Sequence, residues 1–205
     1  MTTIAGLTFA FGQHLVLDRL HVPLPERGLV ALTGPNGIGK TTLLRVLGGI
    51  YPSQDAAVAE LLKAKRVVYL DAECLSLDTL TVAELVRLLG ATMCRIDRSA
   101  LTAGPLLTES ILRTRVGELS LGGRQRVVLA VATALREVDI LLLDEPFNGL
   151  DESAADAARE ALASASLSTT IVFATHDRAE IASAHFELAL GSAHDLTLHG
   201  RGVRA

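Results

Sequence analysis

The stretch Gly34-Pro35-Asn36-Gly37-Ile38-Gly39-Lys40-Thr41-Thr42 constrains this chain more than any other. It fits the spacing G-x-x-x-x-G-K-[ST], and its flanks agree with it. Before it, Leu29-Val30-Ala31-Leu32-Thr33 is a short apolar run that reads as a buried strand. After it, Thr41 to Leu47 reads as a helix with Leu43, Leu44 and Leu47 on one face. Strand, glycine loop and helix in that order suit a bound phosphate. The glycines let the backbone turn and bring its N–H groups close to phosphate oxygens. The helix N-terminus adds a partial positive charge of ~0.5. Lys40 would bring a full charge to the β- and γ-phosphates, and Thr41 a hydroxyl to Mg²⁺. The alternative is a glycine-rich turn that binds nothing, and it leaves the Lys-Thr pair unexplained.

The rest of the chain supplies a sheet for that loop. Residues 4–9 and 14–22 read as two strands joined by a turn at Gly12-Gln13, with Phe11 in the turn. Residues 66–70, 140–145 and 169–174 are further apolar strands, and 186–190 with 195–199 form a last pair turning at Gly191-Ser192. Between them lie helices from Gly122 to about Arg136, from Glu152 to Ser164 and from Asp177 to Ala184. Residues 55–63 are open between strand and helix. Thr81 to Glu84 is a capping box that opens a helix with Val82, Leu85, Val86 and Leu89 inward. Residues 95–115, with Gly104-Pro105, read as short helices. The alternation predicts an α/β fold: a P-loop NTPase with a mostly parallel sheet flanked by helices, an N-terminal antiparallel β subdomain and a small helical insertion. The 205 residues form one such domain, with the core and β subdomain at about 1–71 and 119–205 and the helical subdomain at about 72–118.

Composition removes several other classes. Hydrophobic residues make up 49% of the chain, yet the uninterrupted apolar runs are short, such as Val127 to Ala132, far below the ~20 residues that span a bilayer. No signal-peptide pattern opens the sequence, which points to a cytoplasmic protein. The net charge of −4, without a basic run, does not suggest a nucleic-acid surface. Cys74 and Cys94 lack the spacing of a metal site and are expected to be reduced structural thiols.

Ile140-Leu141-Leu142-Leu143 runs into Asp144 and Glu145. Two acids at a surface turn are commonplace, but not after so apolar a run. In a fold with a phosphate loop, an Asp at this strand end completes Mg²⁺ binding, and a neighbouring carboxylate can accept a proton from the attacking water.

Taken together, these motifs resemble the ATP-binding cassette (ABC) family over essentially the whole chain. GPNGIGKTT resembles its Walker A sequence and ILLLDEP its Walker B. Asn148 to Asp151 resembles the D-loop, and Ala174-Thr175-His176-Asp177 the switch histidine. Leu119-Ser120-Leu121-Gly122-Gly123-Arg124-Gln125-Arg126-Val127 resembles the signature, with Leu121 where the family has its first glycine. Phe11 falls where the family stacks an aromatic on adenine; read alone, it is a packing aromatic. The family's Q-loop glutamine is missing after Leu70. Its place falls on Glu73, or on Ala72 if the register moves by one.

The resemblance implies ATP and Mg²⁺ as ligands. Gly34 to Thr42, Phe11, Ser120 and Gly122 would contact nucleotide. Thr41, Asp144 and Glu73 would hold the metal, and Lys40, Glu145 and His176 would be catalytic. It also implies a head-to-tail, ATP-dependent dimer or a paired cassette, in which Ser120 and Gly122 close on the partner's γ-phosphate. An integral membrane transporter subunit would be the second partner, with this chain peripheral on the cytoplasmic face of the plasma (inner) membrane. The compact length looks more like small exporter-type cassettes than sugar importers. The alternative is a soluble ABC ATPase of the iron–sulfur assembly, translation or chromosome-maintenance kind. The stretch between Lys40 and Leu119 is too short for a coiled-coil insertion, and no second cassette is present. A P-loop kinase is a remote third reading, opposed by the signature and the switch histidine.

Overall fold

The computed structural model describes residues 1–75, 77–92, 96–97, 101, 105–191 and 195–201. In chain order the strands are β1 (Thr2–Phe11), β2 (His14–Leu24), β3 (Gly28–Thr33), β4 (Val67–Leu70), β5 (Ile140–Asp144), β6 (Thr170–Ala174), β7 (Phe186–Leu190) and β8 (Leu196–Gly200). The α-helices are α1 (Lys40–Leu47), α2 (Ala56–Ala64), α3 (Val82–Thr92), α4 (Glu109–Arg113), α5 (Leu121–Ala134), α6 (Glu152–Ala165) and α7 (Arg178–Ser183). Short 3₁₀ turns lie at Ala72–Leu75 and Val116–Glu118. The chain divides into two compact units. One comprises Met1–Tyr69, Asp139–Asp144 and Ser166–Ala205; the other comprises Leu70–Val138 and Glu145–Ala165.

The first unit is built on a sheet in the order β4-β5-β6-β3-β7-β8, with β1 and β2 as a separate antiparallel pair. β3, β5 and β6 run parallel and in step: Asp144 lies opposite Ala174, and Ala174 opposite Leu32. All of β3 and β6, and β5 up to Leu143, are buried, as expected of central parallel strands covered on both faces. The shared register brings the loop after β3, Asp144 and the residues after Ala174 to one edge of the sheet. β7 continues the parallel set beside β3, and β8 closes that side antiparallel. One core joins the hairpin, through Leu7, Leu17 and Leu20, to Leu43 and Leu47 of α1 and to Leu142 and Val172 of the sheet.

The ambiguous stretch at 55–63 is a helix. Asp55 caps it by accepting from the Ala57 amide at 2.9 Å, and Val58 and Leu61 face inward. Two buried positions three apart fit a helical period, not the alternation of a strand.

The second unit is helical. Thr81 and Glu84 form the expected capping box: the Thr81 amide donates to Glu84 Oε2 at 2.8 Å and the Glu84 amide to Thr81 Oγ1 at 3.3 Å. The Thr81 amide bond, together with the Thr81 hydroxyl donating to Glu84 Oε2 at 2.8 Å, holds the Glu84 carboxyl below its ordinary range. Val82, Leu85 and Val86 are buried. α5 starts at Leu121, capped by Ser120, and ends at Ala134, two residues short of the expected Arg136. It is buried all round from Val127 to Ala132. Those residues carry no polar side chain, so no face of that stretch favours water. Of the short helices expected in 95–115, α4 is present; residues 95, 98–100 and 102–104 lie outside the described residues, as do Cys94 and Ser192. Cys74 is exposed. Among the described residues, no helix is long and apolar enough to cross a membrane.

Candidate functional site

Gly34 leaves β3 with φ of 147°, and a Cβ there would stand 2.5 Å from the Leu190 carbonyl oxygen. Only glycine lets the loop pass so close to β7. Gly39, at φ 110° in the left-handed region, turns the chain into α1. Lys40 is 8% exposed, and its Nζ donates to the Gly34 carbonyl at 2.8 Å and the Pro35 carbonyl at 3.0 Å. An ammonium carries three donors, and these two carbonyls hold it at the loop. One residue on, Thr41 Oγ1 donates to Asp144 Oδ1 at 3.1 Å. This hydroxyl and carboxylate are both hard oxygen ligands. Among the described residues no group of three His, Cys, Asp or Glu side chains could hold a metal. A two-residue oxygen set suits Mg²⁺, which keeps waters and takes phosphate oxygens, better than an ion that needs a full protein cage.

His176 is presented at the same edge of the first unit. The buried Thr175 amide donates to the Leu32 carbonyl at 3.1 Å, its hydroxyl bonds the Glu180 carboxylate, and Asp177 caps α7 through the Ala179 and Glu180 amides. Both neighbours of His176 are thereby fixed while His176 itself is exposed.

Phe11 is 50% exposed and sits edge-on to Phe9, with centroids 5.0 Å apart, and to Tyr51, at 5.3 Å. Tyr51 stacks on Phe9, and its hydroxyl accepts from Arg45 of α1 at 3.1 Å. Arg45 also donates to Tyr69 at 3.0 Å, and these bonds, Tyr69 first, hold its pKa above the ordinary value. The sequence reading found Phe11 but neither Tyr51 nor Arg45. The rings meet only through the pairing of β1 and β2 and the turn after α1.

In the second unit Ser120 caps α5, accepting from the Gly123 amide at 3.1 Å. A Cβ on Gly122 would stand 2.2 Å from the Gly149 carbonyl oxygen. Leu121, the departure from the signature, is 52% exposed, so its side chain has room beside the Gly122–Gly149 contact. The strict position is thus Gly122. Gly122→Ala is expected to force two backbones apart and cost about 1–3 kcal/mol, lowering the melting temperature by roughly 5 °C. Gly123→Ala, whose Cβ would meet Leu119 Cδ2 at 3.3 Å, should change it much less. Equal melting temperatures in calorimetry would contradict the contact.

Glu145 has φ of 43°, a left-handed conformation that costs a non-glycine residue on the order of 1–3 kcal/mol. Its carbonyl accepts from the Asn148 amide at 3.2 Å and from Gln125 Nε2 at 2.9 Å. Asp151 accepts from the Ala154 amide at 2.9 Å and pairs with Arg126. The Ala154 bond, with Arg126 beside it, holds the Asp151 carboxyl below its usual range. Glu73 is exposed in the Ala72–Leu75 turn, Ala72 is half-buried, and buried Asp71 anchors the turn by accepting from the Cys74 amide at 2.7 Å. Gln125 and Gly149 had no part in the nucleotide site as read from sequence. The available signals were their places in the stretches that resemble the signature and the D-loop.

Strand, glycine loop, buried lysine and the Thr41–Asp144 pair define a P-loop nucleotide-binding protein. The family model for "ABC transporter" matches residues 17–148. The aliphatic sulfonates import ATP-binding protein SsuB 1 of Frankia alni is 38% identical over 72% of this chain and 54% of its own length. The probable sulfate/thiosulfate import ATP-binding protein CysA of Chlorella vulgaris is 33% identical over 96% of this chain and 93% of its own length. A dimeric ATP-binding cassette solved in a post-hydrolysis state with ADP and Pi shares the fold, with a TM-score of 0.77 at 22% identity over 98% of this chain and 100% of that one. This chain belongs to the ABC transporter family. It spans about half the length of the sulfonate relatives it matches.

Proposed function

We propose that this chain is the ATP-binding and ATP-hydrolysing subunit that powers a separate membrane transporter from the cytoplasmic face. The observation that carries this reading is the Lys40 ammonium held at the glycine loop, one residue before the Thr41–Asp144 pair. In this reading the loop amides and Lys40 bind the β- and γ-phosphates, and Phe11 stacks on adenine with its exposed ring. Thr41, Asp144 and Glu73 would hold Mg²⁺, which when bound neutralises phosphate charge. Glu145 accepts a proton from water as the water oxygen bonds to the γ-phosphorus. The bond to the β-bridging oxygen breaks, and ADP carries that electron pair away. His176 donates a hydrogen bond to the γ-phosphate, where charge is redistributed in the transition state.

Ser120 and Gly122 lie at the start of an α5 whose amides suit an anion, and in the proposed head-to-tail dimer that anion is the γ-phosphate on a second cassette. The helical subdomain at about 72–118, with Glu73 near its start, is proposed to report nucleotide state to the membrane partner. The relatives' names are those of import proteins, and direction and substrate belong to that partner. The test is phosphate release from ATP by the purified chain, with a pull-down from membranes in parallel. Release that needs Mg²⁺ and stops on chelation with EDTA is expected, together with co-purification of a polytopic membrane protein. Release unaffected by EDTA would overturn the metal-dependent site, and a chain that never associates with a membrane protein would overturn the transport role.

A further inference from the structure

Gln125 is 3% exposed, and its Nε2 donates to the Glu145 carbonyl at 2.9 Å. Its Oε1 is buried and, among the described residues, has no hydrogen-bond partner. An unpaired buried acceptor is unfavourable, and an apolar side chain of the same length would avoid it. Stability alone therefore does not explain a glutamine here. What the side chain does is hold one peptide: the carbonyl of a residue whose φ of 43° is disfavoured for any side chain other than glycine. Around that bond, α5 is tied to the same loop twice more, by the backbone approach of Gly122 to Gly149 and by the Arg126–Asp151 pair. α5 thus begins with Ser120 at its cap and, five residues on, grips Glu145.

We infer that Gln125 is a positioning residue for Glu145, holding its peptide in the left-handed conformation that aims the carboxylate. The inference rests on the reading of Glu145 as the group that accepts the proton from water. It also implies that a displacement of the start of α5, where Ser120 would meet a phosphate, is passed to Glu145 through the Gln125 hydrogen bond and the two ties beside it.

The test compares the full chain with Gln125→Met, Gln125→Glu, Glu145→Gln and the double variant Gln125→Met/Glu145→Gln. ATP turnover, KM and melting temperature are measured for each. Methionine keeps the length and removes the donor. The expected result for Gln125→Met is a melting temperature at or above the parent's, KM within about twofold, and kcat lowered about tenfold. Gln125→Glu, which when ionised sets an acceptor against the Glu145 carbonyl, should lower kcat at least as far, and less so at low pH, where the protonated acid can donate. In the Glu145→Gln background, Gln125→Met should change turnover no further, because it acts through Glu145. Parent-like kcat in Gln125→Met, with Glu145→Gln inactive, would overturn this inference alone. Parent-like turnover in Glu145→Gln would overturn the underlying reading and this inference with it. If Gln125→Met does not fold, the Gln125→Glu pH profile decides: a drop in kcat that does not ease at low pH is contrary to the inference.

Discussion

Glu145→Gln should bind ATP as the parent does and lower turnover by about 10²–10⁴-fold, the range expected when a general base is lost. Glutamine fits where glutamate sits. It keeps the length, and the backbone bonds from Gln125 and Asn148 go to the Glu145 carbonyl, which the change leaves intact. The amide oxygen can still orient a water but cannot take its proton. With ATP bound and uncleaved, the proposed dimer should accumulate, visible in size-exclusion chromatography with ATP and Mg²⁺. Hydrolysis at the parent rate would remove Glu145 from the chemistry.

Lys40→Ala should act earlier, on binding. A charge-assisted hydrogen bond to phosphate contributes about 1.5–3 kcal/mol, so the Kd for ATP should rise by roughly ten- to 150-fold. The fold should tolerate the change. Among the described residues Lys40 bonds the loop's own carbonyls at Gly34 and Pro35, and a buried charge is removed with them. Calorimetric titration would measure the Kd, and a thermal melt would confirm that the variant is folded. An unchanged Kd would mean that the loop does not hold the phosphates.

The parts of this site that lie along the chain were legible in it. The glycine loop reads from spacing because its function needs backbone turns next to Lys40 and Thr41. Asp144 and Glu145 read from the apolar run before them, and the Thr81–Glu84 box from local hydrogen-bond chemistry. What stayed hidden depends on contacts between distant segments. The burial of Gln125 and its bond to Glu145 join residues on different elements, as does the approach of Gly149 to Gly122. The left-handed backbone of Glu145 has no residue signature, since glutamate is not a residue that favours it. Residues 55–63 were ambiguous because Ala, Glu and Lys dilute the apolar pattern, and the Asp55 cap decides for helix. Leu121 looked like a flaw in the signature, and exposure at the first turn of α5 explains why it is tolerated.

The central claim is that the phosphate loop of one chain and Ser120 of a second chain make one working site. Lys40→Ala chains lack an intact loop, and Ser120→Arg chains lack an intact cap, so neither alone should hydrolyse ATP appreciably. A mixed dimer restores one complete site, pairing the unaltered loop of the Ser120→Arg chain with the unaltered Ser120 of the Lys40→Ala chain. With random pairing of equal amounts, about a quarter of the parent's sites are rebuilt. The measurement is phosphate release by the mixture, with mixed dimers verified by pull-down through a tag on one chain. The account predicts activity well above the sum of the two variants and near that fraction of the parent; activity no greater than the sum, with mixed dimers present, would contradict it.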